Sequence, residues 1–504
     1  MKNKNFILFL TLSFSITATN AEVKPNSLFS DHMVLQRNVA VPVWGTAADG
    51  EKVTVSFNGQ TVSTTAANGR WMIKLEKLKA GGPYTMTVAG TNTISINDVL
   101  VGEVWLCSGQ SNMERQLGPR PPQQPIAGWE KEVSEANYPQ IRQYFVPEKY
   151  TPTPLTDIGS KWETCSPETV KNFSAVGYFF ARDLYKEVNV PVGILFSAYG
   201  GTPAEHWTSK AALEADPELK NLVDDYLKAV KGYPMALNKY KENEKMFLIK
   251  FREDSAKAAE ENKPIPKKPM PPSDPVTSRS IGTLYNAMIA PMIPYAIKGI
   301  CWYQGEANNG RTKQYVPLLS AMISSWRKDF EQGDVPFLIV QIAPYKDMSP
   351  EIREAQLIIT QKVDNTALIV TTDVGDSADI HPPHKKEVGA RLAIAAEALA
   401  YGKKIEYSGP VYQSIKIEND KAELSFTHTG KGLVSKDGEL KGFTIAGADS
   451  VFMPASATIK GNKVIVSNSM IAKPVSVRYG WSNVPNVNLY NKEGLPATPF
   501  RTDK

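Results

Sequence analysis

Apolar and polar positions fall into three regimes along this chain. Val53, Val55 and Phe57 alternate with polar neighbours ahead of Asn58-Gly59. Trp71 and Ile73 follow a second Asn-Gly at 68–69, and Tyr84, Met86 and Val88 alternate again. Short alternating strands joined by tight turns predict a small β-sandwich module, immunoglobulin-like in pattern, over residues 22–98. From Gly102 the alternation gives way to continuous apolar runs at 104–107, 141–146, 192–198, 297–303, 337–342 and 367–372, with amphipathic stretches such as 176–187 and 315–330 between them. Strands buried on both faces and separated by helical segments predict βαβ units and a mainly parallel sheet over 99–403. Alternation returns after 404 at Ile415/Ile417, Leu424/Phe426, Val464/Val466 and Val475/Val477, with a hairpin turn at Gly461-Asn462. Residues 404–504 therefore read as a second β module, whose final segment 479–500, dense in Asn, Pro and aromatics, is expected to pack back onto the body.

Two insertions interrupt the central domain. Segment 117–137 contains Pro119, Pro121, Pro122 and Pro125, so no regular structure is expected there, and its closeness to Ser111 makes it a candidate lip of a cleft. Segment 210–278 opens with charged helical sequence over 211–231, continues through 235–262 and ends in a Pro-rich run, 263–275, that reads as an extended linker.

Composition changes this picture little. A length of 504 residues suits about three domains. With 42% apolar and 22% charged residues and a net charge of +5, the chain reads as globular, and nothing in its charge points to nucleic acid or a membrane surface. Residues 1–21 have the form of a secretory signal: Lys2 and Lys4, an apolar core over 6–16, and small residues at 19–21. The apolar core is too short to span a bilayer, so an exported protein, periplasmic or extracellular, is expected to begin near Glu22. The three cysteines, Cys107, Cys165 and Cys301, cannot form a disulfide framework, and no Cys/His spacing matches a metal site. His32 and His428 read as structural and surface residues.

The candidate chemistry lies where the buried runs end. Gly102–Met113 passes from Val104-Trp105-Leu106-Cys107 into Ser108-Gly109-Gln110-Ser111-Asn112. In open α/β sheets ligands bind beyond the carboxyl ends of the strands, so Ser111 is a candidate nucleophile, although a helix cap is the commoner use of such a residue. Three further strand ends share this polar character: Ser197 to Pro203, with Gly200-Gly201; Trp302 to Asn308, with Gln304 and Glu306; and Asp373 to Pro382, with Asp379 two residues before His381. Together they supply a nucleophile (Ser111), a general base (His381) and a carboxylate to orient it (Asp379). The backbone N–H groups of Ser111 and of Gly200 or Gly201, with the Gln304 amide, would form an oxyanion hole. No G-x-S-x-G elbow surrounds Ser111.

The blocks GQSNM, GGTPAEHW, WYQGEAN and DIHPPHK resemble the signature blocks of the SGNH (GDSL-like) hydrolases, in their sialate O-acetylesterase branch. LFSDHMVLQR, LYNAMIAPMIPYAIKG and NLYNKEGLPATPFRTD extend the resemblance over nearly the whole mature chain. It implies a flavodoxin-like three-layer α/β domain flanked by β-sandwich-like modules. It also implies removal of acetyl groups from sugar hydroxyls without a cofactor, sialic acids being the name-giving substrate. Glu306 and Asn308, with His206 and Trp207, are the expected substrate-binding residues. The superfamily usually has Asp three residues before His; here that position is Ala378, which leaves Asp379, Asp376 as a fallback, or a Ser–His dyad. Gln304 stands where the superfamily's oxyanion Asn is expected, with Asn308 second, and His384 is a weaker rival to His381. An ordinary imidazole base would lose activity below pH ~6.5. Three rivals stand beside this reading: the same chemistry on acetylated xylan or pectin, a non-catalytic carbohydrate-binding protein, and a scaffold of the outer envelope. The second predicts damage at Ser111 or His381, and both are intact.

Overall fold

The computed structural model describes residues 22–503, so the export segment expected at 1–21 lies outside the described residues. A central sheet is built from β1 (Thr93–Gly109), β2 (Tyr138–Phe145), β3 (Trp162–Cys165), β4 (Val192–Ala198), β5 (Gly299–Tyr303), β6 (Phe337–Val340) and β7 (Thr366–Ile369). Their order is β3-β2-β4-β1-β5-β6-β7. Neighbours run parallel except β3, which pairs antiparallel with β2 at one edge. The flanking helices are α1 (Ala175–Val188), α2 (Lys220–Glu260), α3 (Thr312–Phe330), α4 (Pro350–Lys362) and α5 (Lys385–Tyr401).

The continuous apolar runs have a simple cause. Alternate strand residues feed two different cores. Trp105, Cys107, Cys301, Tyr303, Leu338 and Val340 pack with α1 and α5. Val104, Leu106, Ile300, Trp302, Phe337 and Ile339 pack with α3 and α4. With both faces covered, most positions are apolar. Cys107 and Cys301 are register partners on β1 and β5, and all three cysteines are free and buried.

The boundary expected at 98/99 falls inside β1, a single strand of 17 residues. Its first part pairs antiparallel with Gly81–Ala89 and parallel with Val34–Gln36. Its second part is the middle of the parallel sheet. Alternating exposure gives way to uninterrupted burial at Val99, so the pattern change marks where helices begin to cover the strand rather than a break in the chain. The three-stranded sheet of Lys24–Pro25, Val41–Thr46 and Arg70–Leu75 packs over this arm and shares its core. The Asn58-Gly59 turn joins Lys52–Phe57 to Gln60–Thr65, both turn residues lying at positive φ (45° and 81°).

The C-terminal module has its own core around Leu424, Ile445, Val464, Val477 and Tyr479. It docks on α4, where Arg501 makes a two-pronged pair with Glu354, both contacts at 2.9 Å. In the final segment Leu489–Asn491 pairs with Leu433–Ser435, while Asn483 donates to the Lys346 carbonyl of the central domain.

Segment 117–137 is less irregular than expected. Its prolines end at Pro125, and Trp129–Ser134 is helical beyond their reach. Ala127 N–H donates to the Pro383 carbonyl, which seats the segment against the loop carrying His381. In 210–278 the helical sequence forms Lys210–Ala215 and then α2, whose 41 residues run through Pro234 without a break. Only Val223 of α2 is buried, so this helix is largely solvated. Among the described residues no helix is long and apolar enough to cross a membrane.

Gly109 closes β1 with φ at 143°, and a Cβ there would stand 2.2 Å from the Tyr303 carbonyl oxygen. Gly109→Ala is therefore expected to cost about 2 kcal/mol or more, since strain and overpacking act together. Chemical denaturation against wild type measures this. An unchanged midpoint would contradict the packing described.

Candidate active site

The turn after β1 begins with that close approach. Gln110 N–H donates to the Tyr303 carbonyl at 3.0 Å, and the Gln110 carbonyl accepts from Met113 and Glu114 at 2.8 and 3.0 Å. These bonds wind Ser111–Glu114 into one helical turn with Ser111 first. The turn is tied to α1 by Ser174, whose hydroxyl donates to the Met113 carbonyl at 2.7 Å. Gly200, after β4, lies against it: a Cβ at Gly200 would meet Ser111 Cβ at 3.4 Å and Glu114 Oε2 at 2.7 Å.

The loop after β7 brings His381 to the same place. Asp376 Oδ1 accepts from the N–H groups of Ala378 and Asp379 at 2.8 and 3.3 Å, which curls the loop. Asp379 Oδ1 then accepts from His381 N–H at 2.8 Å. The His381 ring is half-buried, with Nε2 2.8 Å from Ser111 Oγ and Nδ1 3.6 Å from Asp379 Oδ1. Asp379 is thus beside the ring, and its hydrogen bond goes to the backbone. Asp376 serves the loop. His384 is exposed at the start of α5.

Three expected site residues have other work. Gln304 is buried, and its Nε2 donates to the Thr202 carbonyl (3.2 Å) and to Asn308 Oδ1 (2.7 Å); both amide hydrogens are engaged, so it braces the turn beside Gly200–Thr202 instead of facing an oxyanion. Asn308 is buried too: Oδ1 also accepts from Ala204 N–H at 2.9 Å, and Nδ2 donates to Glu205 Oε2 at 3.0 Å. Trp207 is core, edge-on to Trp302 at 5.9 Å, with Nε1 donating to Thr202 Oγ1. The reason is common to all three: a polar group in a dry interior must be paired, and here Gln304 and Asn308 pair with each other and with the 202–205 segment, while Trp207 pairs with Thr202. Among the described residues His206 keeps a buried Nδ1 without a partner, and burial pushes its pKa down to about 4. Gly201 is exposed at φ 68°.

Sequence reasoning named Glu306 but missed the residues gathered around it and the His381 loop: Asn112, Arg115 and Lys385. Asn112 Nδ2 donates to Glu306 Oε1 at 2.7 Å and to the Ile380 carbonyl at 3.0 Å, while its Oδ1 accepts from Lys385 Nζ at 2.5 Å. Arg115 donates to the His381 carbonyl at 3.2 Å and to the Gln124 carbonyl. Lys385, Asn112, Arg115 and Glu306 are all buried. Lys385 sits in a His-Lys-Lys run that reads as an exposed helix start, so nothing local signals its burial. Burial raises the Glu306 pKa and lowers that of Lys385 to about 7. The His381 pKa is lowered, first by burial; Lys385 and Arg115 add to this and Asp379 opposes it. At the open side Arg279 lies over the Tyr199 ring, 5.1 Å from its centroid. A separate cavity of about 700 Å³, bordered by Trp44, Trp71 and Leu155, includes neither Ser111 nor His381.

Residues 276–398 match the family model described as carbohydrate esterase, sialic acid-specific acetylesterase. Sialate O-acetylesterase of Rattus norvegicus is 30% identical over 531 residues, covering 94% of this chain and 93% of the rat protein. The Homo sapiens enzyme of that name is 30% identical, covering 94% of this chain and 91% of its own length. A crystal structure of XAC1771, a novel carbohydrate acetylesterase from Xanthomonas citri, superposes with a TM-score of 0.80 at 35% identity, covering 96% of this chain and all of the other. Fold and relatives together define a carboxylic ester hydrolase of the carbohydrate-esterase class. Within that class, the chain belongs to the sialate O-acetylesterase family.

The neutral His206 ring generates a test. A folded-state pKa near 4 against an unfolded value near ~6.5 means stability is lost as pH falls through that window. His206→Gln is expected to flatten the fall in Tm between pH 7 and pH 4.5 relative to wild type. An equally steep fall would contradict a buried, neutral ring.

Proposed function

We propose that this chain is an exported serine esterase that removes O-acetyl groups from sialic acids through an acetyl-enzyme on Ser111. The observation that carries the reading is the 2.8 Å contact between Ser111 Oγ and His381 Nε2. With Nε2 as acceptor, the neutral ring keeps its proton on Nδ1, toward Asp379. His381 takes the Ser111 proton as Oγ attacks the acetyl carbonyl. The oxyanion is met by the backbone N–H groups of Ser111 and Gly200, each such donor being worth roughly 2.7–4 kcal/mol in the transition state. His381 returns the proton to the departing sugar oxygen, and water releases acetate by the same path. Asp379 acts by its charge beside Nδ1 and by holding the His381 main chain, so the site lies between a triad and a dyad.

Helices on both faces of the sheet support the finer reading of the fold: a flavodoxin-like SGNH hydrolase domain with β-sandwich-like modules on either side. The form of residues 1–21 supports export. The Arg279 guanidinium, which donates to the Gly200 carbonyl at 3.5 Å and makes no salt bridge among the described residues, suits an anionic sugar. A broader specificity for acetylated carbohydrates is the second reading, favoured by the likeness to XAC1771 at 35% identity.

Ser111→Ala is expected to lower kcat/KM on an acetyl ester by roughly a thousandfold or more, with the fold retained. Retained turnover would remove the mechanism. The base must be neutral, and its pKa is depressed, so the acidic limb of kcat/KM is expected below the ordinary imidazole value of ~6.5. A limb at or above that value would contradict the environment described. Acetate release from O-acetyl sialic acids, compared with acetylated xylan and pectin oligosaccharides, decides between the two substrate readings.

A further inference from the structure

We propose that Lys385 is a positioning residue for this reaction: through Asn112 it fixes the main chain that carries His381, and its charge lies where it disfavours the imidazolium. The inference rests on the reading of His381 as general base.

The geometry is a relay. Lys385, the first residue of α5, donates from Nζ to Asn112 Oδ1 at 2.5 Å. That bond orients the amide, so that Nδ2 reaches both the Ile380 carbonyl and Glu306 Oε1. Ile380 is the residue between Asp379 and His381, and Asn112 directly follows Ser111. One side chain next to the nucleophile thus grips the peptide next to the base. Arg115, from the same turn, grips the next carbonyl, that of His381.

Lys385 is an unusual choice for a merely structural bond. It is fully buried, and among the described residues it makes no ion pair. Its Nζ stands 5.1 Å from the Tyr303 ring centroid, and Glu306 is reached only through Asn112. Glu306 in turn leaves Oε2 buried without a partner among the described residues. Burying charge this way costs stability, and such arrangements gather where they tune a reacting group. The charged groups facing Lys385 are Arg115, Glu306 and Asp379; those facing His381 are Asp379, Lys385, Arg115 and Glu114. With the lysine pKa lowered to about 7, the ammonium is still present in the acidic range where the imidazole takes up its proton.

The test is the pH profile of kcat/KM on 4-nitrophenyl acetate for wild type, Lys385→Met and Lys385→Gln. Glutamine keeps a donor for Asn112 and removes the charge; methionine removes both. Both variants are expected to shift the acidic limb upward by about one pH unit. Lys385→Met should also lower kcat by about tenfold at the plateau, as a loosened base does, with KM within about twofold. Lys385→Gln should retain most of kcat. If Lys385→Met fails to fold, Lys385→Gln carries the pH test. If neither folds, His381 and Lys385 of wild type are titrated together by NMR: a His381 midpoint that moves with the charge state of Lys385 supports the proposal, and independent titration of the two groups overturns it. A limb that stays in place in a folded variant, whether or not activity falls uniformly, overturns the electrostatic role. Failure of the underlying base assignment is seen separately, as normal turnover in His381→Gln.

Discussion

A hydroxyl and an imidazole 270 residues apart in sequence meet at 2.8 Å, and the rest of the molecule is arranged so that they can. Neither group is held by its own bond to the other. Ser111 is fixed because β1 ends in a glycine pressed against the Tyr303 carbonyl, which sets where the next turn begins. His381 is fixed because Asp376 and Asp379 curl the loop after β7, and because Asn112 and Arg115 reach across to its main chain. The turn that presents the proposed nucleophile therefore also locates the proposed base. A catalytic pair needs this kind of support, since a small misplacement of reacting groups is enough to lose most of the advantage of holding them together.

Around this contact two polar networks do different jobs. Gln304, Asn308, Glu205 and Arg311 bond among themselves beside the Gly200–Thr202 turn, with Arg311 pairing to Glu205 at 2.6 Å. They satisfy one another almost completely and stiffen the wall beside Ser111. The Asn112, Glu306 and Lys385 group is less complete, with Glu306 Oε2 and the Tyr303 hydroxyl buried without partners among the described residues. Unmet polar capacity in a dry interior is costly, so the second group is the one whose retention asks for a chemical reason.

Much of the architecture was legible from patterning alone. Each of the six apolar runs of the central domain lies on a parallel strand, because burial on two faces strongly favours apolar positions, Arg142, Gln143 and Ser197 being buried exceptions. The edge strand β3 escaped notice because four residues, two of them only partly buried, give no periodic signal. The placement of Ser111, Asp379 and His381 was legible as spacing within strand-end loops. The partners of Gln304, Asn308 and Trp207 were not. Sequence identifies polar groups at the end of a strand, yet only three-dimensional neighbours decide whether an amide faces a cleft or another side chain. Lys385 shows the same limit from the other side: a lysine among charged neighbours is usually solvated, and here Lys385 turns inward while His384, Lys386 and Glu387 stay exposed.

The central claim is that the ester's acyl group passes through Ser111. Peptide mapping by mass spectrometry after rapid acid quench of the enzyme with an activated acetate ester tests this most directly. The account predicts a single acetyl adduct on the peptide carrying Ser111. Turnover with the adduct on another residue, or with no adduct under conditions that trap acyl-enzymes, would contradict it.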